Sequence, residues 1–262
     1  MDMHIAQDTP LVGIDVDSLP PAEGEAVLRR QLAAAYRLVD YFGWTELIYG
    51  HLTARVPGEQ AHFLINPFGL NYDEVTASNL VKIDLDGNNV GESKHTVNYA
   101  GFVIHSAVHM AHAARHKVVM HTHTRAGMAV SAMTCGLLPL SQTSIRFVGH
   151  IGYHDYEGPA VDLDERERLV RDLGDNNAMI LRHHGLLTTG RTVGDAFYEM
   201  YYLEQACRLH VAATQGGQKV VVPPDSVAEH AARQFESFES KGQRPWAALK
   251  RRLDRESPDY AS

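Results

Sequence analysis

Apolar residues in the first part of the chain recur at helical spacing. Val27, Leu28, Leu32, Ala35, Leu38, Val39 and Phe42 form one stripe, so the segment after Pro20-Pro21 is expected to be an amphipathic helix, with Gly43 as its C-terminal cap. The period then changes. HLTARV (51–56), HFLIN (62–66) and LVKID (80–84) are short alternating or apolar runs divided by Pro57-Gly58, Pro67 and Asp86-Gly87, which are strand and turn signals. Gly101 to Ala114 returns to helical spacing, VVMHTH (118–123) reads as a strand and RAGMAVSAM (125–133) as a helix. GHIGYHDYEG (149–158) is expected to form strand and loop. Asp162 and Glu165 make an acidic capping box for a helix that Gly174 ends, and AMILRHH (178–184) is expected to be a buried strand. Thr192 is placed to cap a long helix over 193–214, whose apolar face carries Val193, Ala196, Phe197, Met200, Leu203, Cys207 and Val211. Two shorter helices are expected near 225–236 and 244–254. Strands alternating with helices mean an α/β layered domain. It is expected over residues 21–222, after an arm at 1–20 and before a helical tail at 223–262.

Composition narrows the function classes. The chain has 262 residues, of which 44% are hydrophobic and 21% charged, enough for one large domain with a sizeable core. A formal charge of −8 argues against a partner that offers a phosphate backbone. No apolar run approaches the ~20 residues of a membrane helix, and the start of the chain lacks an apolar signal core. A cytoplasmic protein without nucleic-acid or membrane partners is expected. Cys135 and Cys207 stand singly in apolar surroundings and suggest neither a disulfide framework nor a thiolate metal site.

Histidine changes the picture. There are 16, and His105, His109, His112, His116, His121 and His123 fall within one stretch where an even spread would put about one. On a strand, residues two apart project from the same face at roughly 6.6 Å spacing, so His121 and His123 can reach one ion. A second apolar run ends in His183-His184-Gly185 and supplies a third imidazole at a comparable strand end. Neutral imidazoles suit zinc, iron and similar metals. On the residues alone, the alternative is a set of histidines satisfied by ordinary hydrogen bonds.

Larger motifs carry a resemblance. Asn98-Tyr-Ala-Gly-Phe-Val-Ile-His105-Ser-Ala-Val-His109, Val-Met-His121-Thr-His123-Thr, Ala-Val-Ser-Ala-Met133, Tyr153-His-Asp-Tyr and Arg182-His-His184-Gly-Leu, in that order, resemble the class II aldolase/adducin family from about residue 25 to 215. The resemblance implies a three-layer α/β/α sandwich with a central mixed sheet. It also implies a metal-dependent enzyme, often a homotetramer with interfacial active sites, and His121, His123 and His184 as metal ligands. His183 is then the neighbour on the opposite face. The chain also departs from the pattern. Fuculose-phosphate-type aldolases carry a glutamate, both ligand and proton shuttle, four residues before the position of His105; here that place is Gly101. Their paired phosphate-binding serines are replaced by Tyr99 and Ala100, although Gly50-His-Leu-Thr53 and Pro67-Phe-Gly69 persist. The sequence is nearer the adducin-like branch.

His105 lies one helical turn beyond Gly101 and is expected either as a substitute fourth ligand or as a hydrogen-bonding neighbour of the ligands. His109, His112 and His116 continue its stripe and are expected to form a solvated polar face. Arg125 is a candidate clamp for a substrate carboxylate, and Tyr153 and His154 are candidates for proton transfer, each with ordinary structural pairing as its alternative. The leading expectation is an enzyme holding one divalent ion per chain, zinc first, then iron or manganese. It would cleave or decarboxylate a small oxo or hydroxy acid, carboxylate-bearing or aromatic, through a metal-stabilised enediolate. The alternatives are a non-haem iron oxygenase of aromatic 2-oxo or 2-hydroxy acids and a non-catalytic adducin-like interaction module. The apolar face at 193–214 and Trp246, Leu249 and Leu253 of the tail are read as assembly surfaces of a homotetramer.

Overall fold

The computed structural model describes residues 14–58, 60–159, 163–238 and 241–262. Residues 1–13 of the arm and Asp162, with the capping pair read for it, lie outside them, as do the side chains of Tyr99 and Ala100. Helix α1 (Pro21–Tyr41) starts on a proline at its first position and buries the stripe read from sequence up to Val39. It ends where Gly43 takes φ +67°, with the Gly43 and Trp44 N–H groups donating to the carbonyls of Asp40 and Val39.

Seven strands follow: β1 (His51–Arg55), β2 (Phe63–Ile65), β3 (Val81–Ile83), β4 (Val118–Thr122), β5 (Gly152–His154), β6 (Ala178–Leu181) and β7 (Gly185–Gly190). They form one sheet in the order β3-β2-β1-β4-β7-β6-β5. Only β5 and β6 pair in parallel, so the sheet is mixed. Between and after the strands come α2 (Tyr99–Ala111), α3 (Arg125–Ser131), α4 (Gln142–Ile145), α5 (Glu165–Leu173), α6 (Val193–Thr214), α7 (Asp225–Glu236) and α8 (Gln243–Glu256). Alternation along the strands divides the apolar side chains. Leu52, Ala54, Val118, Met120 and Leu186 face a core shared with α1, α6 and α8. Val119, Met179, Leu181 and Leu187 face Ile104 and Val108 of α2 and Leu169 and Leu173 of α5. The result is the expected α/β/α sandwich.

Three local expectations change. The run 178–184 does not stay extended: β6 stops at Leu181, His183 takes a left-handed φ of +55°, and β7 returns antiparallel from Gly185. Helix α2 ends at Ala111, short of Ala114. The stripe of His109, His112 and His116 is not a solvated face. Only His112 is exposed; His109 and His116 are buried, because that side of α2 and the turn after it lie against β1 and β7.

Thr192 caps α6 by accepting from the Asp195 N–H. The apolar face of α6 is covered within the chain: Phe197 meets Trp246 of α8 at 5.7 Å between ring centroids, and Trp246, Leu253 and Tyr260 lie in the same core. No helix among the described residues is long and apolar enough to cross a membrane. Because Trp246 is 2% exposed, Trp246→Ala should lower unfolding free energy by about 3–5 kcal/mol in urea denaturation. A loss under ~1 kcal/mol would mean that α8 is dispensable to the core.

Candidate metal centre

Central position in the sheet is what places the site. β4 pairs with β1 on one side and with β7 on the other. His121 is the last residue but one of its buried run, and His123 follows just past its end. The turn between β6 and β7 brings His184 alongside. Gly185 follows it because a Cβ there would lie 2.4 Å from the Thr122 carbonyl oxygen and 3.2 Å from the His123 ring. Thr124 closes the segment: it caps α3 by accepting from Gly127 N–H, and its hydroxyl donates to buried Glu204, whose carboxyl is pushed up to about 6 by burial.

The outer partners of the imidazoles decide what the inner atoms offer. His121 Nδ1 is 2.9 Å from the Leu186 carbonyl oxygen, which can only accept, so Nδ1 carries the proton and Nε2 is bare. His123 Nδ1 lies 2.6 Å from Glu46 Oε2 and donates likewise. The three Nε2 atoms then meet: His121 to His123 at 2.8 Å and His121 to His184 at 3.3 Å. All three ligand atoms fall within 4.8 Å of one another. Tetrahedral bonds of ~2.0–2.1 Å to one ion put nitrogens roughly 3.3 Å apart, so the donor set fits a divalent metal. Burial drives the His121 pKa well below its ordinary value, with His184 and His123 adding to the effect. Burial and neighbouring His123 bring His184 to about 4, against an opposing pull from Glu46. Both rings are therefore neutral, as ligands must be.

Behind the trio lies a buried polar layer between α2 and the sheet. His109 Nδ1 donates to the His116 carbonyl at 2.7 Å, which leaves its Nε2 to accept the Thr53 hydroxyl proton at 2.7 Å. Thr53 Oγ1 then accepts from His105 Nδ1, also at 2.7 Å. Each step follows from a carbonyl having no proton to give. His105 is thus left with a bare, buried Nε2 that has no partner. It does not join the group of converging ligand atoms; its ring lies behind His51, tilted by 47° with centroids 4.3 Å apart.

Other residues singled out from sequence are placed as follows. His183 is exposed and stays outside the trio. Arg125 is exposed at the start of α3. His154 has each ring nitrogen against a carboxylate, Asp172 at 2.8 Å and Glu165 at 3.2 Å; it lines a small cleft with Arg182 and His184. Tyr153 is on the other face of β5, where its oxygen accepts from Leu137 N–H at 3.0 Å and Arg182 covers its ring. Sequence reasoning missed Glu46 and His51. Glu46 sits in a loop far from the histidines in sequence, with no local signal. His51 did carry one: it alternates with Thr53 on the same face of a strand, but only the pairing of His51 with His121 shows where that face points.

Comparison with known proteins agrees with this geometry. The model of the "Class II Aldolase and Adducin N-terminal domain" matches residues 30–211, and the chain belongs to that family. The crystal structure of an aldolase II superfamily protein from Pseudomonas syringae is 50% identical, with a TM-score of 0.88 over 94% of this chain and 98% of that one. L-fuculose 1-phosphate aldolase from Glaciozyma antarctica PI12 is 27% identical, with a TM-score of 0.80 over 94% and 97%. Alpha-adducin of Rattus norvegicus is 47% identical over 223 residues, 83% of this chain but 30% of adducin. Family and neighbours support aldolase-type lyase chemistry at the level of the class, and the three-histidine group is of the kind that class II aldolases use for a divalent metal.

Glu46→Gln replaces the acceptor that orients His123, so metal affinity should fall by about 10- to 100-fold in a chelator-competition titration; unchanged affinity would remove Glu46 from the centre. The metal-free protein should also lose stability in acid. Burial holds His109 at about 3 against its ordinary value near 6.5. Below about pH 6.5 the unfolded chain therefore binds a proton that the folded chain refuses. Stability is greatest above that pH and declines as pH falls toward 3, by up to about 1.4 kcal/mol per pH unit for this residue. Urea titrations at about pH 8, 6 and 5 check it, and a flat profile would contradict it.

Proposed function

We propose that this chain is a divalent-metal-dependent lyase that cleaves a C–C bond in, or decarboxylates, a small oxo or hydroxy acid. The support is the meeting of the Nε2 atoms of His121, His123 and His184, the first two left bare by their outer partners. Zinc is the first candidate on ligand chemistry, with iron or manganese next. When bound, a divalent ion there supplies Lewis acidity to a substrate carbonyl or hydroxyl oxygen.

The chain's own residues set the substrate preference. Three neutral imidazoles add no negative charge, and Gly101 brings no carboxylate, so an ion's charge is offset only through Glu46 behind His123. Such a centre favours an anionic ligand. Arg125, exposed beside Thr124, offers a guanidinium fork to a substrate carboxylate. Paired serines, the phosphate anchors of the fuculose-phosphate aldolases, are absent at 99 and 100. A carboxylate or aromatic acid therefore suits the site better than a sugar phosphate. Tyr153 retains its own hydroxyl proton, whereas both His154 nitrogens are engaged by carboxylates. Tyr153 faces away from the trio, and His154, though it shares a cleft with His184, has no free ring nitrogen, so a proton-transfer role for either belongs to the assembled homotetramer that we also propose. The exposed Leu47 and Tyr49, close in sequence to Glu46, are among the apolar residues available for that assembly.

One observation favours a second reading: an all-imidazole donor set also suits a non-haem iron oxygenase. The two separate in one experiment. Metal-replete protein is assayed on a panel of 2-oxo and 2-hydroxy acids beside L-fuculose 1-phosphate and ribulose 5-phosphate, with oxygen uptake recorded. Turnover of an acid without oxygen consumption is expected, and His121→Ala should abolish both metal content and turnover. Oxygen consumption by the iron-loaded protein would replace the lyase with the oxygenase. Robust turnover of either sugar phosphate would overturn the substrate class, and inertness on the whole panel would leave a non-catalytic, adducin-like module.

A further inference from the structure

His51 and Gly101 are a matched pair. A Cβ built on Gly101 would lie 2.6 Å from both Cε1 and Nε2 of His51, so the helix can carry no side chain at 101 while the imidazole stands there. The space from which a residue of α2 would reach the three converging nitrogens is filled from the opposite wall, by β1.

We propose that His51 is a fourth protein ligand of the metal centre, entering from β1 in the place that a side chain at 101 would occupy. This role presupposes the metal-centre reading above. His51 and His121 are cross-strand partners, and their rings share the α2 face of the sheet. Their centroids are 5.3 Å apart at 60°, somewhat more than the 4.6–4.8 Å separations within the trio, and the His51 nitrogens stand outside the group whose ligand atoms lie within 4.8 Å of one another. Both ring nitrogens of His51 are buried and no hydrogen bond of good geometry reaches them; the main chain of Gly101 and Gly50 interacts with the ring only weakly. A buried, unpaired donor or acceptor is costly, and native folds rarely leave one without a purpose.

The residue behind His51 fits the same role. Metal-binding imidazoles hold their orientation by donating the other ring N–H to a fixed acceptor. His121 has the Leu186 carbonyl and His123 has Glu46. Behind His51, with ring centroids 4.3 Å apart and no hydrogen bond formed between them, lies His105, whose Nε2 is left an acceptor by the chain through Thr53 and His109 to the His116 carbonyl. His105 is then the support of a ligand, and His51 the ligand.

X-ray absorption on the zinc-loaded wild-type chain tests this directly. Four imidazole nitrogens at about 2.0–2.1 Å are expected, falling to three in His51→Gln, with zinc affinity at least about 10-fold weaker by chelator competition. Gly101→Ala, which presses on the ring, should weaken zinc binding in the wild-type background and have no further effect in His51→Gln. If His51→Gln does not fold, the wild-type count and Gly101→Ala decide the matter. Stoichiometric zinc held by three imidazoles, with Gly101→Ala binding as tightly as wild type, would overturn the role of His51 and leave the metal centre standing. Failure of the wild-type chain to bind zinc, iron or manganese would overturn both.

Discussion

Three imidazole lone pairs brought within about hydrogen-bonding distance of one another repel unless something positive lies between them. His121, His123 and His184 are held in that arrangement by groups that cannot be persuaded otherwise: a main-chain carbonyl of β7 behind the first and a carboxylate behind the second. Much of the molecule serves this constraint. β4 must be central so that β1 and β7 can flank His121. The β6–β7 turn must be tight enough to set His184 against it, which calls for a left-handed residue at 183 and no side chain at 185. Thr124 must stop the strand and start a helix at once.

The layer under α2 answers a second demand, that the rings stay neutral and oriented. A helix laid on a sheet would ordinarily bury an apolar stripe, and α2 does so with Ile104 and Val108. One turn of its face instead carries His105 and His109, each paired to the same threonine hydroxyl. Phe63 stacks on His109 at 4.6 Å, so the polar chain runs inside apolar walls. The low polarity that makes an unpaired group costly also strengthens each satisfied bond. Because the chain ends on a carbonyl, every proton along it points one way, from His105 through Thr53 and His109 to the His116 oxygen, and the bare nitrogen is left at the His105 end.

A fold shared with an L-fuculose 1-phosphate aldolase and with alpha-adducin does not by itself select a chemistry. Selection comes from the side chains at the end of the sheet. An imidazole from β1 in place of an anionic side chain on α2, as proposed for His51, would change the net charge of the centre without changing the scaffold. Greater residual positive charge favours anionic ligands.

Much of this is legible in the sequence. Helix α1, the strands β1 to β4, the cap at Thr192 and the tail helices follow from local spacing, because hydrophobic period and capping chemistry act over a few residues. His121 and His123 could be paired for the same reason, and family motifs added His184 and the layered fold. What the sequence could not supply were interactions between segments distant along the chain. The stripe of His105, His109 and His116 has the same spacing whether it faces water or a sheet, and only the seating of α2 on β1 made it buried. Glu46 is an ordinary loop carboxylate until the fold sets it 2.6 Å from His123. Gly101 read as a missing side chain. Tertiary structure shows it as the space His51 requires, since steric exclusion between a helix and a strand is decided by packing and leaves no trace in local pattern.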